Sequence, residues 1–243
     1  MAASYQIKLI DRKELASETF GCYFEKPEGF HFNPGQTLRL TLLNLPETDT
    51  EGNTRLFSIA SAPIEKTLLI ASRTGKTAFK HHLSSLPIGS QVNIRGPFGD
   101  FLLHKDTSRP AVFLAGGIGI TPFRSILVQA KEEKLTHDFF LFYFNRKPED
   151  AAFLEELKNL QKSDFKFNFF PVMTSAEGHL DGEKFKKYLN AKGLTNYSSP
   201  IYYVVGPPAM VNALRDLLKD VPVDSSQIFV EEFEGYGVKV SLI

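Results

Sequence analysis

The chain has a single cysteine, Cys22, and no tryptophan among its 243 residues. One thiol cannot close an intramolecular disulfide, and it excludes an iron–sulfur cluster or a cysteine-rich zinc site built from these residues alone. An excess of either charge is missing too: 28 Lys+Arg stand against 28 Asp+Glu. No global field therefore favours nucleic acid or an anionic membrane. Nowhere do about 18 apolar residues follow one another, as a spanning helix needs, and residues 1–13 lack the apolar core of a signal peptide. The expectation is a cytoplasmic protein without stable membrane insertion. The six histidines, His31, His81, His82, His104, His137 and His179, form no His-Glu-x-x-His or His–Cys ligand spacing, and no Gly-x-Ser-x-Gly elbow occurs. Neither a metal site nor a serine nucleophile is assigned.

What is present is ordinary globular composition, 42% hydrophobic and 23% charged, in a length that allows one large or two modest domains. Up to about residue 104 the apolar residues come in short runs, 6–9, 38–43, 67–71 and 92–95, punctuated by Asn33-Pro34-Gly35, Pro87-Ile88-Gly89 and Gly96-Pro97-Phe98-Gly99. Such spacing predicts a small antiparallel barrel or sandwich. One helix is expected there, over 77–86. After a polar stretch at 104–110 the pattern becomes continuous apolar strands at 111–115, 139–144, 167–172, 201–205 and 227–230. Helices are expected at 122–130, 152–160 and 208–218. Strands that do not alternate are buried on both faces, so this half reads as an α/β parallel sheet covered by helices. Two domains are expected, 1–104 and 105–243.

The strand at 111–115 runs into Gly116-Gly117-Ile118-Gly119-Ile120-Thr121-Pro122. Glycines let a backbone approach a ligand closely, and the free N–H groups of a helix start, with the positive end of its dipole, accept a pyrophosphate. Pro122 in the first turn loses no intrahelical bond. Ligands of parallel sheets lie beyond the carboxyl ends of the strands, so Asn145, Arg146 and Lys147 and the segment Gly206-Pro207-Pro208 belong to the same cleft. Arg146 and Lys147 stand where a 2′-phosphate is accommodated, ahead of the nearest acids, Glu149 and Asp150; this leans toward NADP over NAD.

In the first half, Arg55-Leu56-Phe57-Ser58 combines a phosphate-capable guanidinium, a flat ring and a hydroxyl, with Arg55 and Phe57 on one face of an extended strand. Gly75-Lys76-Thr77 feeds the start of the expected helix, an anion site of the same physical type. From residue 53 to 99 there are six basic residues (Arg55, Lys66, Arg73, Lys76, Lys80, Arg95) and one acid, Glu65. Zero net charge conceals a local excess.

Taken in order, these segments, with Phe32-Asn33-Pro34-Gly35-Gln36 and Glu231-Glu232-Phe233-Glu234-Gly235-Tyr236, resemble the ferredoxin–NADP reductase superfamily in its stand-alone form. The resemblance implies an antiparallel β-barrel that binds FAD, followed by an α/β domain that binds NADP or NAD, with a C-terminal tail over the flavin. Arg55 would hold the flavin pyrophosphate together with the backbone of Gly75, Lys76 and Thr77, and Leu56 would belong to the same strand site. Phe57, where the family usually has Tyr, would cover one face of the isoalloxazine, and Ser58 would bond near flavin N5. Gly116, Gly117, Gly119, Thr121 and Pro122, with Asn145, Arg146, Gly206 and Pro207, would bind the nucleotide. Glu231 and Phe233 would close the flavin's other side, making Ser58, Glu231 and Phe233 the catalytic candidates. One departure stands out: Val205 occupies a position where the family often has Cys. The implied reaction is hydride transfer from NAD(P)H to bound FAD, then electron transfer to an external acceptor, for which the basic run suggests an acidic carrier such as ferredoxin or flavodoxin. A free flavin, a quinone or a haem protein is the alternative acceptor, FMN the alternative cofactor, and a non-catalytic dinucleotide-binding subunit the reading from another class.

Overall fold

The computed structural model describes residues 2–43, 45, 50, 52–75, 77–234 and 237–242, with side chains as far as residue 233. The described chain divides into two compact units. One is made of residues up to 102 together with 121–133 and 237–238, the other of 103–120 with 134–234 and 239–242, so that the last strand belongs to both.

The first unit is built on β1 (Ala3–Ala16), β2 (Thr19–Glu25), β3 (Thr37–Leu42), β4 (Thr54–Ser58), β5 (Thr67–Arg73), helix α1 (Ala78–Ser85) and β6 (Gln91–Phe98). The strands form one antiparallel sheet in the order β4-β3-β6-β1-β2-β5. Alternation decides which face is inside: Val92 and Ile94 of β6 and Ile7 and Leu9 of β1 are buried while their neighbours face water. The two end strands meet just beyond β4, where Ala60 N–H donates to the Leu69 carbonyl of β5 at 2.8 Å. This closes the sheet into the expected barrel. β2 escaped the periodicity because nearly all of it is buried; Gly21 at its middle leaves room for Leu15, whose Cδ1 would lie 2.9 Å from an added Cβ. Cys22 lies in this strand, and burial pushes its thiol up to about 12, which makes it inert at neutral pH. Helix α1 starts after Thr77, whose Oγ1 accepts from Lys80 N–H at 3.3 Å as an N-cap. Helix α2 (Ile120–Glu132) is drawn in from residue 121 onward, with Phe123 packed on Phe101 at 5.8 Å between ring centroids.

The second unit contains β7 (Ala111–Gly116), β8 (Phe139–Asn145), β9 (Phe167–Met173), β10 (Ile201–Gly206) and β11 (Ile228–Glu234), all parallel, with β12 (Gly237–Leu242) next to β11. The order β12-β11-β10-β7-β8-β9 reverses between β7 and β10. That is the topological switch point at which open α/β sheets bind ligands. Both faces are apolar. Phe142 stacks on Phe170 and touches Phe185 on one side, while Phe113 meets Phe139 and Tyr203 on the other. The helices are α3 (Leu154–Gln161), α4 (Thr174–Glu177), α5 (Gly182–Asn190) and α6 (Pro208–Lys219).

Three expectations need correction here. The helix expected from residue 152 starts at Leu154, because Phe153 sits in the left-handed region at φ 61° and breaks the entry. Helix α5 was not anticipated, although Asp181 caps it and Phe185 and Leu189 carry its buried stripe. The last strand continues past Val230 through Glu231 and Phe233 to Glu234, held by its pairing with Val205 and Gly206. Among the described residues no helix is long and apolar enough to cross a membrane.

Candidate functional site

At the switch point the two strand ends of the second unit cross closely. Gly116 closes β7 in extended conformation, Gly117 takes φ 51°, and a single 3-10 turn over Gly117–Gly119 leads into α2 at Ile120. The helix therefore begins before Pro122, which occupies its third position. There the missing N–H has no intrahelical acceptor to lose and the fixed φ already suits the helix. A Cβ on Gly119 would lie 2.5 Å from the Val205 carbonyl oxygen and 2.9 Å from its carbon. A Cβ on Gly116 would overlap Met210 Sδ, and one on Gly206 would lie 3.5 Å from Gly116 Cα. Gly119 is needed by the protein's own packing, a requirement invisible in the linear motif, whereas Gly116 faces a flexible side chain and Gly206 has ordinary contact distances. Thr121 and Pro122 are buried, while Pro207 is exposed and precedes the start of α6 without a side-chain cap.

Two buried polar side chains stand at the same carboxyl ends. Asn145, the last residue of β8, is 6% exposed, and neither its Oδ1 nor its Nδ2 has a hydrogen-bond partner among the described residues. Its backbone carbonyl accepts from Thr174 Oγ1 at 3.2 Å, and the Arg146 carbonyl accepts from Ser175 N–H at 3.2 Å and from Ser175 Oγ. The loop tip is thus pinned by α4 while the Arg146 and Lys147 side chains remain exposed. Glu231 is directly beside Val205 in register, 1% exposed, with Oε2 unpartnered among the described residues. Burial pushes its carboxyl up to about 8, so it is predominantly protonated at neutral pH. Phe233, two residues on, is partly buried, and between them Glu232 Oε1 lies 3.8 Å from Arg215 Nη1.

In the first unit β4 meets the start of α1. Arg55 is 5% exposed; its Nη1 donates to the carbonyls of Gly52 at 2.9 Å and Thr54 at 3.0 Å, and its Cζ lies 4.9 Å over the Phe79 ring. Phe57 stacks on the other part of this cluster, its centroid 6.0 Å from that of Phe79 with 30° between the planes. Arg55 and Phe57 therefore share a face, as strand geometry predicts, with Phe79 of α1 as their common partner. The linear pattern places Phe79 only in the core stripe of its helix. Leu56 is partly buried opposite Arg39, and Ser58 is 5% exposed with an Oγ that has no partner among the described residues. Gly75 and Thr77 lead into the same helix; a Cβ on Gly75 would come within 2.6 Å of Lys80 Cδ. Lys76 lies outside the described residues. The basic run is also less exposed than its letters suggest, because Arg55 is turned inward onto carbonyls, whereas Lys66, Arg73 and Arg95 do face water.

Residues 113–216, from β7 into α6, match the model of the oxidoreductase NAD-binding domain. With the strand order and the glycine crossing, this makes the region 113–216 similar in class to a dinucleotide-binding domain. The chain as a whole has the two-domain fold of ferredoxin–NADP+ reductases of known structure. It is 26% identical over 214 residues to the reductase component of propane 2-monooxygenase from Rhodococcus jostii, covering 86% of this chain and 57% of that protein. The corresponding reductase component from Mycolicibacterium smegmatis is 28% identical over 214 residues, 86% of this chain and 61% of that protein. The chain thus spans about three-fifths of the length of these relatives. Among solved structures, the ferredoxin NADP+ reductase of Neisseria gonorrhoeae with bound FAD and NADP has the same fold at a TM-score of 0.79 and 23% identity, covering 94% of this chain and 98% of that one. The Plasmodium falciparum ferredoxin-NADP+ reductase matches at a TM-score of 0.79 and 20% identity, over 95% and 96% of the two chains.

Proposed function

We propose that this chain is an NAD(P)H-dependent flavoprotein reductase that takes hydride onto bound FAD and passes electrons to an external acceptor. The observation that carries the reading is the pair of unpartnered buried side chains, Asn145 and Glu231, at the carboxyl ends of strands flanking a glycine-to-glycine crossing at the switch point. A buried polar group without a partner is costly, and a site for a ligand is a physical reason to keep one.

Residues 1–104 are assigned the flavin and residues 105–243 the nucleotide, with the C-terminal residues over the flavin. Arg55 would neutralise the flavin pyrophosphate, exchanging its two carbonyl acceptors for phosphate oxygens, with the backbone of Gly75, Lys76 and Thr77 beside it. Leu56 and Phe57 would supply apolar contact to the ring system, and the free Ser58 Oγ would bond to its polar edge. Gly116, Gly117, Gly119, Thr121 and Pro122 would cradle the nucleotide pyrophosphate, Asn145 would satisfy its amide on the nucleotide, and Gly206 and Pro207 would leave room for it. Arg146 would meet a 2′-phosphate if NADPH is the donor. When bound, the flavin supplies two-electron acceptance and one-electron release. Glu231, held protonated by burial, keeps a proton at Oε2 beside Val205, where the family often has a thiol, and Phe233 shields it from water. The protein's share of the catalysis is positioning.

NAD(P)H as donor suits a cytoplasmic setting, and an acidic carrier such as ferredoxin or flavodoxin suits the exposed Lys66, Arg73 and Arg95. The test is the cofactor itself. Protein purified in the presence of FAD should be yellow, and denaturation should release FAD on chromatography. A protein that stays colourless after incubation with FAD and with FMN contradicts the proposal, and release of FMN alone replaces FAD in it.

A further inference from the structure

Helix α2 is fastened to the turn that follows Ser58 by an ion pair that the reactions above do not use. Arg124 Nη1 donates to Glu65 Oε2 at 2.8 Å and Nη2 to Glu65 Oε1 at 3.0 Å, a fork on a carboxylate. The same Nη1 donates to the Ala60 carbonyl at 2.8 Å. Next along the helix, Ser125 Oγ donates to the Ser61 carbonyl at 2.7 Å, and a turn further Gln129 Oε1 accepts from Ile64 N–H at 3.0 Å.

The receiving turn is itself rigid. Glu65 Oε2 also accepts from Ala62 N–H at 2.6 Å, Ser61 Oγ accepts from Leu69 N–H at 3.0 Å, and Lys26 Nζ donates to the Pro63 carbonyl. The Arg124 side chain is 9% exposed and that of Glu65 30%. Burial alone would raise the Glu65 carboxyl, but the bond and charge of Arg124, joined by the Ala62 N–H and the Lys26 charge, together hold the group below its ordinary value, so both partners stay charged. A surface pair of this kind contributes little, but a mostly buried bidentate pair fixes geometry, because breaking it strands a charge.

The placement matters more than the bond. Ala60 and Ser61 follow Ser58 by two and three residues, and Arg124 follows Thr121 by three. The pair therefore ties the end of the Arg55–Ser58 strand to the first turn of the helix that carries Thr121 and Pro122, all within one compact unit. We propose that Arg124 and Glu65 are positioning residues for hydride transfer, setting the distance between the flavin strand and the nucleotide helix. This rests on the reductase reading above. A displacement on the order of 1 Å from the reacting geometry can slow such a step about 100-fold.

The experiment is anaerobic stopped-flow reduction of the FAD-loaded full chain by NADPH and by NADH, for wild type, Glu65→Gln, Glu65→Asp and Arg124→Lys. Glu65→Asp keeps the charge and shortens the reach by one methylene, so it tests position rather than charge. The expected result is a limiting reduction rate at least tenfold lower in Glu65→Asp and Glu65→Gln. Retained FAD and the nucleotide Kd should stay within about threefold of wild type, and Arg124→Lys should resemble Glu65→Gln. Purely structural loss would instead lower FAD content and leave the loaded fraction reacting at the wild-type rate, which overturns the inference. If Arg124→Lys fails to fold, the two Glu65 variants decide, since Glu65 is partly exposed and its substitution leaves Arg124 its bond to Ala60. Wild-type rates in both Glu65 variants overturn the inference alone; a wild-type protein that neither nucleotide reduces overturns the reductase reading and the inference with it.

Discussion

On the proposed reading, the barrel strand β4 and the carboxyl ends of the parallel sheet prepare for an anionic ligand in opposite ways. On β4 the recognising group is a side chain already in use, with Arg55 bound to the Gly52 and Thr54 carbonyls and laid over Phe79. At the strand ends recognition would be left to backbone, through glycines such as Gly119 held against Val205, and to side-chain atoms of Asn145 and Glu231 that have no partner among the described residues. A guanidinium can add or exchange acceptors to take a phosphate, whereas a glycine turn is already in place. Binding on the β4 side should therefore tolerate conservative change and respond to charge, while the strand ends should be intolerant of bulk.

The largest effect expected is at Gly119. Gly119→Ala puts a Cβ into the Val205 backbone, which cannot move without disturbing β10. A loss on the order of 3 kcal/mol by denaturant unfolding is predicted, typical of severe overpacking. Gly116→Ala meets only the flexible end of Met210, so it should cost less, and Met210→Ala should recover most of it. Equal losses at the two glycines would break the distinction between a backbone crossing and a side-chain contact.

Next comes Arg55→Ala, which removes a buried charge that carbonyls now hold. Charge-assisted bonds of about 1.5–3 kcal/mol correspond to roughly 10- to 150-fold weaker FAD retention, read by equilibrium dialysis. Arg55→Lys should fall between, since a point charge replaces a fork. Unchanged FAD affinity would remove Arg55 from the phosphate site.

Glu231 sharpens the comparison through pH. Its folded pKa, about 8, lies above the ordinary 4.5 because of burial. Between those values the native state binds more protons than the unfolded chain, so stability linked to Glu231 is fully present below about 4.5, declines as pH rises, and is lost once pH passes about 8. Glu231→Gln cannot ionise and should flatten that part of the stability profile measured from pH 5 to 9. A parallel profile would mean that the carboxyl is already ionised at neutral pH. The smallest effect is at the exposed Arg146. Arg146→Ala should raise the KM for NADPH several-fold more than that for NADH, and equal changes would contradict a 2′-phosphate contact.

Much of this was legible in the residues because local signals and tertiary demands coincide. Ala111–Gly116 and Ile201–Gly206 are short apolar strands ending in glycine, and they form the central pair of the parallel sheet. Thr77 announces α1 by its capping role. What stayed hidden depends on partners distant in the chain. β2 lacks alternation because it is covered on both faces, and the reason for Gly119 is a carbonyl at Val205. Glu65 looked like the lone acid of a basic run; its partner, Arg124, lies 59 residues away. The family resemblance implies that Glu231 closes over the flavin; its place in β11 beside Val205 of β10 depends on a strand pairing that the sequence alone does not reveal.

The account depends most on whether nucleotide reduces a flavin bound to this chain. The direct measurement is anaerobic titration of the FAD-loaded protein with NADPH and, separately, NADH, following the flavin absorbance to completion. The prediction is full bleaching by one equivalent of at least one nucleotide, at a rate slowed when the transferred hydrogen at nicotinamide C4 is deuterium. A flavin that stays oxidised in excess of both nucleotides would contradict it.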